Sequence, residues 1–276
     1  MHGRRDTRVR SGVADAAVAV RPTGPVPAAA GADTASAGTD ASGPAPRVVP
    51  AAEPTAVTRE QGLAALAAAY RQLTETVAGR PDADLMRPTR CTGWSVVDVL
   101  YHVLLDGQRA LIALATPDDG VADTDFITYW RGFPGGPGPG EHARAVRIAA
   151  SAFRPRTLVQ LWDETSSAVV RAARSTAADS RLVTQRHVLT LPDLLATLAV
   201  EASVHRLDLT VDLPDASDPD PVPLALVRRT LDGLLGAGVP RPDWPDREYA
   251  LKGTGREPLT PAEQRILDGS RFPLFG

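Results

Sequence analysis

The chain has 276 residues, of which 43% are hydrophobic and 23% are charged, and its formal net charge at pH 7 is −3. This length and composition allow one or two globular domains with a sizeable core. The small net charge gives no basic field for binding nucleic acid or an anionic membrane surface. No apolar run approaches the ~20 residues that a membrane span needs. We therefore expect no nucleic-acid partner and no membrane partner.

Cysteine usage and the N-terminal sequence bear on the compartment. Cys91 is the only cysteine, which excludes an internal disulfide and a cysteine-rich metal site. The first residues contain no apolar segment of the kind that a secretory signal requires. We expect a cytoplasmic protein.

The first 55 residues differ in composition from the rest of the chain. Residues 1–55 are rich in Ala, Gly, Pro, Thr and Ser and contain almost no large apolar side chains. Such a segment cannot bury enough surface to offset its ordering entropy, so it is predicted to be disordered. The remaining chain is predicted to form a helical bundle over residues 56–213 and a small α+β domain over residues 222–276.

Apolar residues recur at helical spacing in four long segments of the predicted bundle. Capping-box patterns at Thr58–Gln61 and at Ser95–Asp98 mark the starts of two of these segments. The predicted fold class is therefore mainly α. The predicted long helices cover residues 58–78, 95–115, 157–178 and 191–210.

The C-terminal sequence predicts a smaller unit of mixed structure. A linker rich in Pro and Asp follows Pro214, and a helix is expected over residues 224–235. Residues 249–251 read as a short strand-like segment, and residues 260–268 as a last helix. We expect a small α+β appendage to the bundle.

The loop over residues 117–140 is the most aromatic part of the chain. It contains Phe126, Tyr129, Trp130 and Phe133, which could cover a pocket or could simply anchor the loop on the bundle. The glycine-rich run that ends the loop lacks the strand-before, helix-after setting of a phosphate loop. It also lacks the closing Lys-Ser/Thr, so nucleotide binding there is rejected.

The predicted helix over residues 191–210 carries ionisable side chains where its core-facing stripe should be apolar. Glu201 and His205 lie one turn apart on this stripe, a spacing that suits two ligands of one divalent cation. A hydrogen-bonded Glu–His pair at the helix surface is the alternative. A metal site needs a third ligand from elsewhere in the chain.

The other candidate side chains give weaker signals. His102 lies beside the apolar stripe of its helix, where a lone histidine is usually a satisfied boundary residue. Cys91 precedes a helix start and has no base near it in sequence, so we interpret it as a small loop residue. No spacing recommends His142 or His187 as part of a site.

Two sequence motifs resemble one known family. The first is Gly93-Trp94-Ser95-Val96 followed by His102. It resembles the Gly-Trp-Ser/Thr-Val…His signature of the mycothiol-dependent maleylpyruvate isomerase family, which lies within the DinB-like superfamily.

The second motif strengthens the resemblance. Glu201, His205, Arg206 and Asp208 follow the family's Glu-x-x-x-His-Arg-x-Asp order. Short segments near the C-terminus also look like the end of these proteins, so that the resemblance covers about residues 58–276.

The resemblance implies a DinB-like four-helix bundle that binds a divalent metal, most often Zn²⁺. His102, Glu201 and His205 take the three ligand positions of the family, and this arrangement leaves a fourth position open as in catalytic zinc sites.

Two more residues acquire roles through the resemblance. Asp208, one turn from His205, could orient that ligand, or could form a salt bridge with Arg206 at the helix end. Arg256 matches an arginine that the family uses near its site, which implies binding of an anionic group of substrate or thiol. A surface arginine is the alternative.

The implied function is that of a metal-dependent enzyme with mycothiol as cosubstrate. Zinc would keep the thiol as a thiolate, which attacks an electrophilic small molecule for isomerisation or S-transfer. Lys252 is the only lysine among the 30 lysine and arginine residues, and this bias indicates a GC-rich genome such as an actinobacterial one. The use of mycothiol as cosubstrate agrees with that origin.

Alternatives to this function remain at the level of sequence. The same scaffold could carry a thiol-independent hydrolase or rearrangement enzyme with a metal-bound water. A non-catalytic metal-binding bundle is the second alternative. Oligomeric state is left open between a monomer and a homodimer.

Overall fold

The computed structural model describes residues 48–49, 56–131, 139–236, 239–267 and 272–275. Within these residues the strands are β1 (Val48–Val49), β2 (Arg181–Thr184), β3 (His187–Thr190) and β4 (Arg241–Pro242). The helices are α1 (Arg59–Val77), α2 (Asp82–Leu85), α3 (Val96–Ala115), α4 (Pro139–Ala150), α5 (Pro155–Ser175), α6 (Leu191–Leu209), α7 (Pro221–Leu235), α8 (Asp246–Gly253) and α9 (Pro261–Ile266).

Four long helices form the bundle. Helix α1 packs against α5 and α6, and α3 packs against the same two helices, which closes a ring of four. The mainly helical fold and the four predicted long helices are confirmed, with ends that differ by at most three residues from the prediction. Their interior is filled by large apolar side chains that exclude solvent: Leu66, Leu73, Leu100, Leu104, Leu158, Trp162 and Leu195.

Side-chain caps fix the starts of the helices that carry the candidate ligands. The Ser95 backbone N–H donates to the Asp98 carboxylate at 2.8 Å, as the capping box before α3 predicts. Thr190 Oγ1 accepts from the Asp193 backbone N–H at 3.3 Å and caps α6. Each cap satisfies a backbone donor that the helix itself leaves free. The positions of the side chains along α3 and α6 are thereby fixed.

Helix α6 is buried on nearly all sides. It contacts α1 and α3 within the bundle, and α7 and α8 cover the side that a bundle helix normally exposes. The sequence indicated one core-facing stripe, whereas the helix is apolar around most of its circumference because it has neighbours around most of it. The ionisable residues His205, Arg206 and Asp208 of α6 are therefore buried, and Glu201 is partly buried.

The connection between α5 and α6 is a β-hairpin. Strands β2 and β3 pair antiparallel, with Leu182 opposite Leu189. The two turn residues of the hairpin, Gln185 and Arg186, have φ angles of 46° and 69°. Hairpin turns with such left-handed residues usually contain Asn or Gly, and neither residue type occurs at these two positions.

The C-terminal segment packs on the bundle through α7, which contacts α1 and α6. The prediction of a strand-like segment at residues 249–251 is wrong, since these residues lie in α8. Pro245 precedes this helix, and Asp246 and Glu248 in its first turn interact favourably with the helix dipole. The division into domains at residues 213 and 222 stays a prediction.

The N-terminal segment contributes one short strand to the described structure. Val48–Val49 pairs antiparallel with Arg241–Pro242. These two residues fall inside the segment predicted to be disordered, and the other residues of 1–55 lie outside the described residues. Among the helices that the structure describes, none is long and apolar enough to cross a membrane.

The aromatic loop is anchored on the protein over its described part. Phe126, Tyr129 and Trp130 are buried, and the Trp130 ring stacks on Phe275 with centroids 4.5 Å apart. These contacts favour the anchoring role that the sequence left open. Phe133 and most of the glycine-rich run lie outside the described residues.

The cap of α3 supports a first prediction. Asp98→Ala removes the acceptor of the Ser95 N–H, and we expect the free energy of unfolding to fall by about 1 kcal/mol. Urea denaturation measures this change. Glu164→Ala, on the exposed side of α5, is the matched control and should leave the midpoint unchanged. Equal midpoints for the Asp98 variant and the wild type would contradict the assignment of the cap.

Candidate metal centre

Three of the predicted site residues meet inside the bundle. His102 comes from α3, and Glu201 and His205 come from adjacent turns of α6. Glu201 Oε1 lies 3.1 Å from His102 Nε2 and 3.1 Å from His205 Nε2. One ligand atom from each residue lies within 4.8 Å of the other two. His102 is thus a buried member of the cluster and no boundary residue.

The geometry of this cluster fits a divalent cation. Zinc bonds of 2.0–2.2 Å at tetrahedral angles place neighbouring ligand atoms about 3.4 Å apart. The two Nε2···Oε1 distances of 3.1 Å are close to this value. Two imidazoles and a carboxylate are also a ligand set found in catalytic zinc sites. His102, Glu201 and His205 could therefore hold the cation and leave a position for one more ligand.

The electrostatics of the cluster favour positive charge at its centre. Burial raises the pKa of Glu201, but the charge of His205 and the hydrogen bonds from both histidines outweigh burial and hold that pKa well below its usual range. Burial lowers the pKa of His205, but Glu201, Asp208 and Cys91 raise it well above its usual value. Protons on the imidazoles and a divalent cation would satisfy the same carboxylate, so metal binding should release protons.

A buried ion pair between Asp208 and Arg256 contacts His205. The Asp208 carboxylate, fully buried, lies 3.0 Å from His205 Nδ1. Arg256 donates to both of its oxygens, from Nε and from Nη2 at 2.9 Å each. Burial raises the pKa of Asp208, but the guanidinium and His205 hold it well below its usual range. The ionised carboxylate accepts a hydrogen bond from Nδ1–H, so that Nε2 is the nitrogen of His205 that can act as a ligand.

The alternatives for Asp208 and Arg256 can be compared with these contacts. The guanidinium of Arg206 donates to the Ser217 backbone oxygen at 2.7 Å, and Asp208 pairs with Arg256 instead. The Arg256 side chain is only 8% exposed, so it is no surface arginine. Its guanidinium also donates to the Thr254 backbone oxygen at 3.0 Å. Binding of an anionic substrate group by Arg256 stays a prediction.

Cys91 lies against the same carboxylate. Its thiol donates to Asp208 Oδ2 at 3.3 Å, and Sγ lies 4.0 Å from His205 Nδ1. Sequence analysis found no base near Cys91 because these neighbours lie more than 100 positions away along the chain. Burial raises the pKa of the thiol, which therefore stays protonated at neutral pH. Cys91, His205 and Asp208 also lie close enough to hold a cation, but the Arg256 guanidinium already neutralises this carboxylate.

Asp106 is a neighbour of the cluster that the sequence analysis missed. Its Oδ2 lies 3.5 Å from His102 Nε2, and its Oδ1 accepts from Arg109 Nη1 at 2.9 Å. Burial raises the pKa of Asp106, and His102 and Arg109 act in the opposite direction. The signal was present in the sequence, since Asp106 follows His102 by the same four positions that separate Glu201 from His205.

His142 is a second neighbour that sequence reasoning did not find. Its ring centroid lies 5.8 Å from that of His102 and 6.4 Å from that of Trp94. Burial, with a further contribution from His102, lowers the pKa of His142 to about 4, so the ring is neutral at physiological pH. Helix α4 brings it to the site from across the long loop, and no local spacing predicts that. His187 lies elsewhere, 3.0 Å from Asp123 in a partly exposed pair.

Comparison with known proteins identifies a family for this site. The sequence profile of the mycothiol maleylpyruvate isomerase N-terminal domain matches residues 66–210, more than half of the chain and a range that includes all three candidate ligands. No curated protein matches the chain.

Two solved structures show weaker similarity. The crystal structure of the mycothiol-dependent maleylpyruvate isomerase has 16% sequence identity and a TM-score of 0.44, covering 63% of this chain and 68% of that one. A histidine-to-alanine mutant of that enzyme gives the same identity and TM-score, with 66% and 74% covered. The family assignment therefore depends on the sequence match.

The buried ion pair supports a second prediction. Arg256→Leu leaves the Asp208 carboxylate in the interior without its guanidinium, and we expect the free energy of unfolding to fall by about 3–5 kcal/mol. Urea denaturation at pH 7 measures the loss. The double variant Asp208→Asn with Arg256→Leu removes the stranded charge and should recover part of it. If the single variant were as stable as the wild type, the pair would not have the structural role assigned to it.

Proposed function

Because the chain belongs to the mycothiol maleylpyruvate isomerase family, we propose that it is a metal-dependent enzyme that uses mycothiol as a cosubstrate. The proposed reaction is isomerisation of, or S-transfer to, an electrophilic small molecule. The observation that supports the metal is the convergence of two buried imidazole nitrogens on one oxygen of a partly buried carboxylate within the matched domain.

The proposed roles of the residues follow from their contacts. His102, Glu201 and His205 would hold the cation, for which Zn²⁺ is the simplest choice given this ligand set. The bound cation would lower the pKa of an incoming thiol so that it is a thiolate near neutral pH. Asp208 accepts a hydrogen bond from His205 Nδ1–H and keeps Nε2 directed at Glu201. Arg256 holds Asp208 ionised and in place.

Trp94 and Cys91 are two further side chains close to this centre. The Trp94 indole is 2% exposed and packs edge-on against the His102 ring with centroids 5.6 Å apart. It keeps water from that side of the ring, and the absence of water strengthens electrostatic interactions there. Because the pKa of Cys91 is raised, this residue remains a thiol and does not compete with the cosubstrate as a nucleophile.

Metal retention provides the test of the ligand set. His102→Ala and His205→Ala should each lose bound zinc during dialysis, because each removes one of three protein ligands. Elemental analysis of the purified proteins measures the metal per chain. His187→Ala is the control and should retain zinc, because His187 pairs with Asp123 and is not a member of the cluster. Unchanged zinc in both ligand variants would refute the site.

The thiol requirement provides the test of the reaction. The zinc-loaded protein should convert electrophilic substrates, with maleylpyruvate as the first probe, only when mycothiol is added. A panel of electrophiles assayed with and without mycothiol, followed by absorbance and chromatography, measures this dependence. Turnover that is indifferent to the thiol would refute the proposal and favour a metal-dependent hydrolase or rearrangement enzyme. Absence of turnover with every member of the panel would favour a non-catalytic bundle.

A further inference from the structure

We propose that Asp106 binds a hydrogen-bond donor, an N–H or O–H group, that the thiol cosubstrate carries close to its sulfur. This inference rests on the proposed function and specifies how that function selects its thiol. It assigns to Asp106 a positioning role that no sequence motif indicated.

Asp106 lies beside the ligand atom of His102. It follows His102 by one turn of α3, and its Oδ2 lies 3.5 Å from the same Nε2 that lies 3.1 Å from Glu201. It is not a member of the group whose ligand atoms all lie within 4.8 Å of one another, so we assign it no role as a fourth ligand. Because a Zn–N bond is about 2.1 Å long, a cation bound to His102 Nε2 would lie within about 5.6 Å of Asp106 Oδ2.

The hydrogen bonding of Asp106 is incomplete. The side chain is 13% exposed, and its Oδ1 is fixed by the Arg109 guanidinium at 2.9 Å. Its Oδ2 is buried and has no hydrogen-bond partner among the described residues, although it lies near His102 Nε2. Native proteins pair nearly all buried polar atoms, since an unpaired one costs about 1–3 kcal/mol or more. A ligand that brings a donor to Oδ2 would recover this free energy.

The local charges define the chemical class of that donor. Asp106 and Glu201 both lie within reach of His102 Nε2, so the space between them is unfavourable for an anionic group. A carboxylate of the electrophile would be repelled there, whereas a neutral amide N–H or hydroxyl would be bound. A molecule whose sulfur binds the cation carries its next atoms within a few ångströms of the cation, and so within reach of Asp106 Oδ2. The donor is therefore assigned to the thiol.

Two isosteric thiols test the assignment. N-acetylcysteamine carries an amide N–H near its sulfur, and 2-mercaptoethyl acetate has an ester oxygen in its place. Each is titrated into the full-length protein loaded with Co²⁺, and the thiolate-to-cobalt absorption band gives its Kd. We expect the wild type to bind the amide about tenfold or more tightly than the ester, the effect of one hydrogen bond to a charged group.

Substitutions then locate the effect. In Asp106→Asn and in Asp106→Ala, the preference for the amide should fall to about twofold or less, because the charged acceptor is gone. Asp123→Asn alters another carboxylate paired with a histidine, away from the cluster, and should keep the wild-type preference. Cobalt content and circular dichroism establish that each variant retains the metal and the fold.

Each outcome decides the matter. Equal Kd values for the two thiols in the wild type would overturn the inference without any substitution, and so would a preference that survives in the Asp106 variants. If the cobalt-loaded wild type showed no absorption band with either thiol, the proposed use of a thiol would itself be wrong, and the role of Asp106 would fall with it.

Discussion

The partly buried carboxylate of Glu201, held between two imidazole rings, is the constraint on which the rest of this structure depends. A carboxylate inside a helical bundle is costly unless positive charge and hydrogen bonds compensate it. His102 and His205 both direct Nε2 at the same oxygen, at 3.1 Å. Only a cation or shared protons can satisfy such an arrangement. The bundle therefore preserves a site whose stability and chemistry depend on what occupies its centre.

The site is part of a longer series of charged and ionisable side chains, each in contact with the next. From one end to the other, successive contacts link Arg256, Asp208, His205, Glu201, His102, Asp106 and Arg109. Each end is a guanidinium that fixes a carboxylate, and each carboxylate in turn lies against one of the imidazoles. Asp208 contacts His205 at Nδ1, and Asp106 lies beside His102 Nε2. The position of neither histidine therefore depends on Glu201 alone. Such outer partners commonly fix the orientation of metal ligands.

Much of the fold and the central cluster followed from the sequence because local rules specify them. Helical periodicity predicted the four bundle helices, and the capping box predicted the start of α3. The spacing of Glu201 and His205 indicated a pair of ligands on one helix face. The third ligand, His102, was named only through the family resemblance, since its own helix gave no reason to prefer it over a boundary residue.

The contacts that the sequence did not reveal are those made between distant segments. His142 reaches the cluster from α4, and Cys91 meets Asp208 across 117 positions. Neither contact has a local signature. The hairpin before α6 was missed because its turn uses Gln185 and Arg186 in left-handed conformations that their residue types do not predict. Residues 249–251 were misread because three residues cannot distinguish a short strand from a helical turn.

The C-terminal segment, which the sequence suggested was an appendage, is an integral part of the site. The matched family domain ends at residue 210, yet the guanidinium that holds Asp208 comes from Arg256, just beyond α8. Asp208 without this partner would be a buried charge with only His205 and the Cys91 thiol beside it. The bundle alone therefore supplies the three ligands but not the full means of orienting them. Because α7 and α8 also cover the outer side of α6, this segment both encloses the ligand helix and completes its electrostatics.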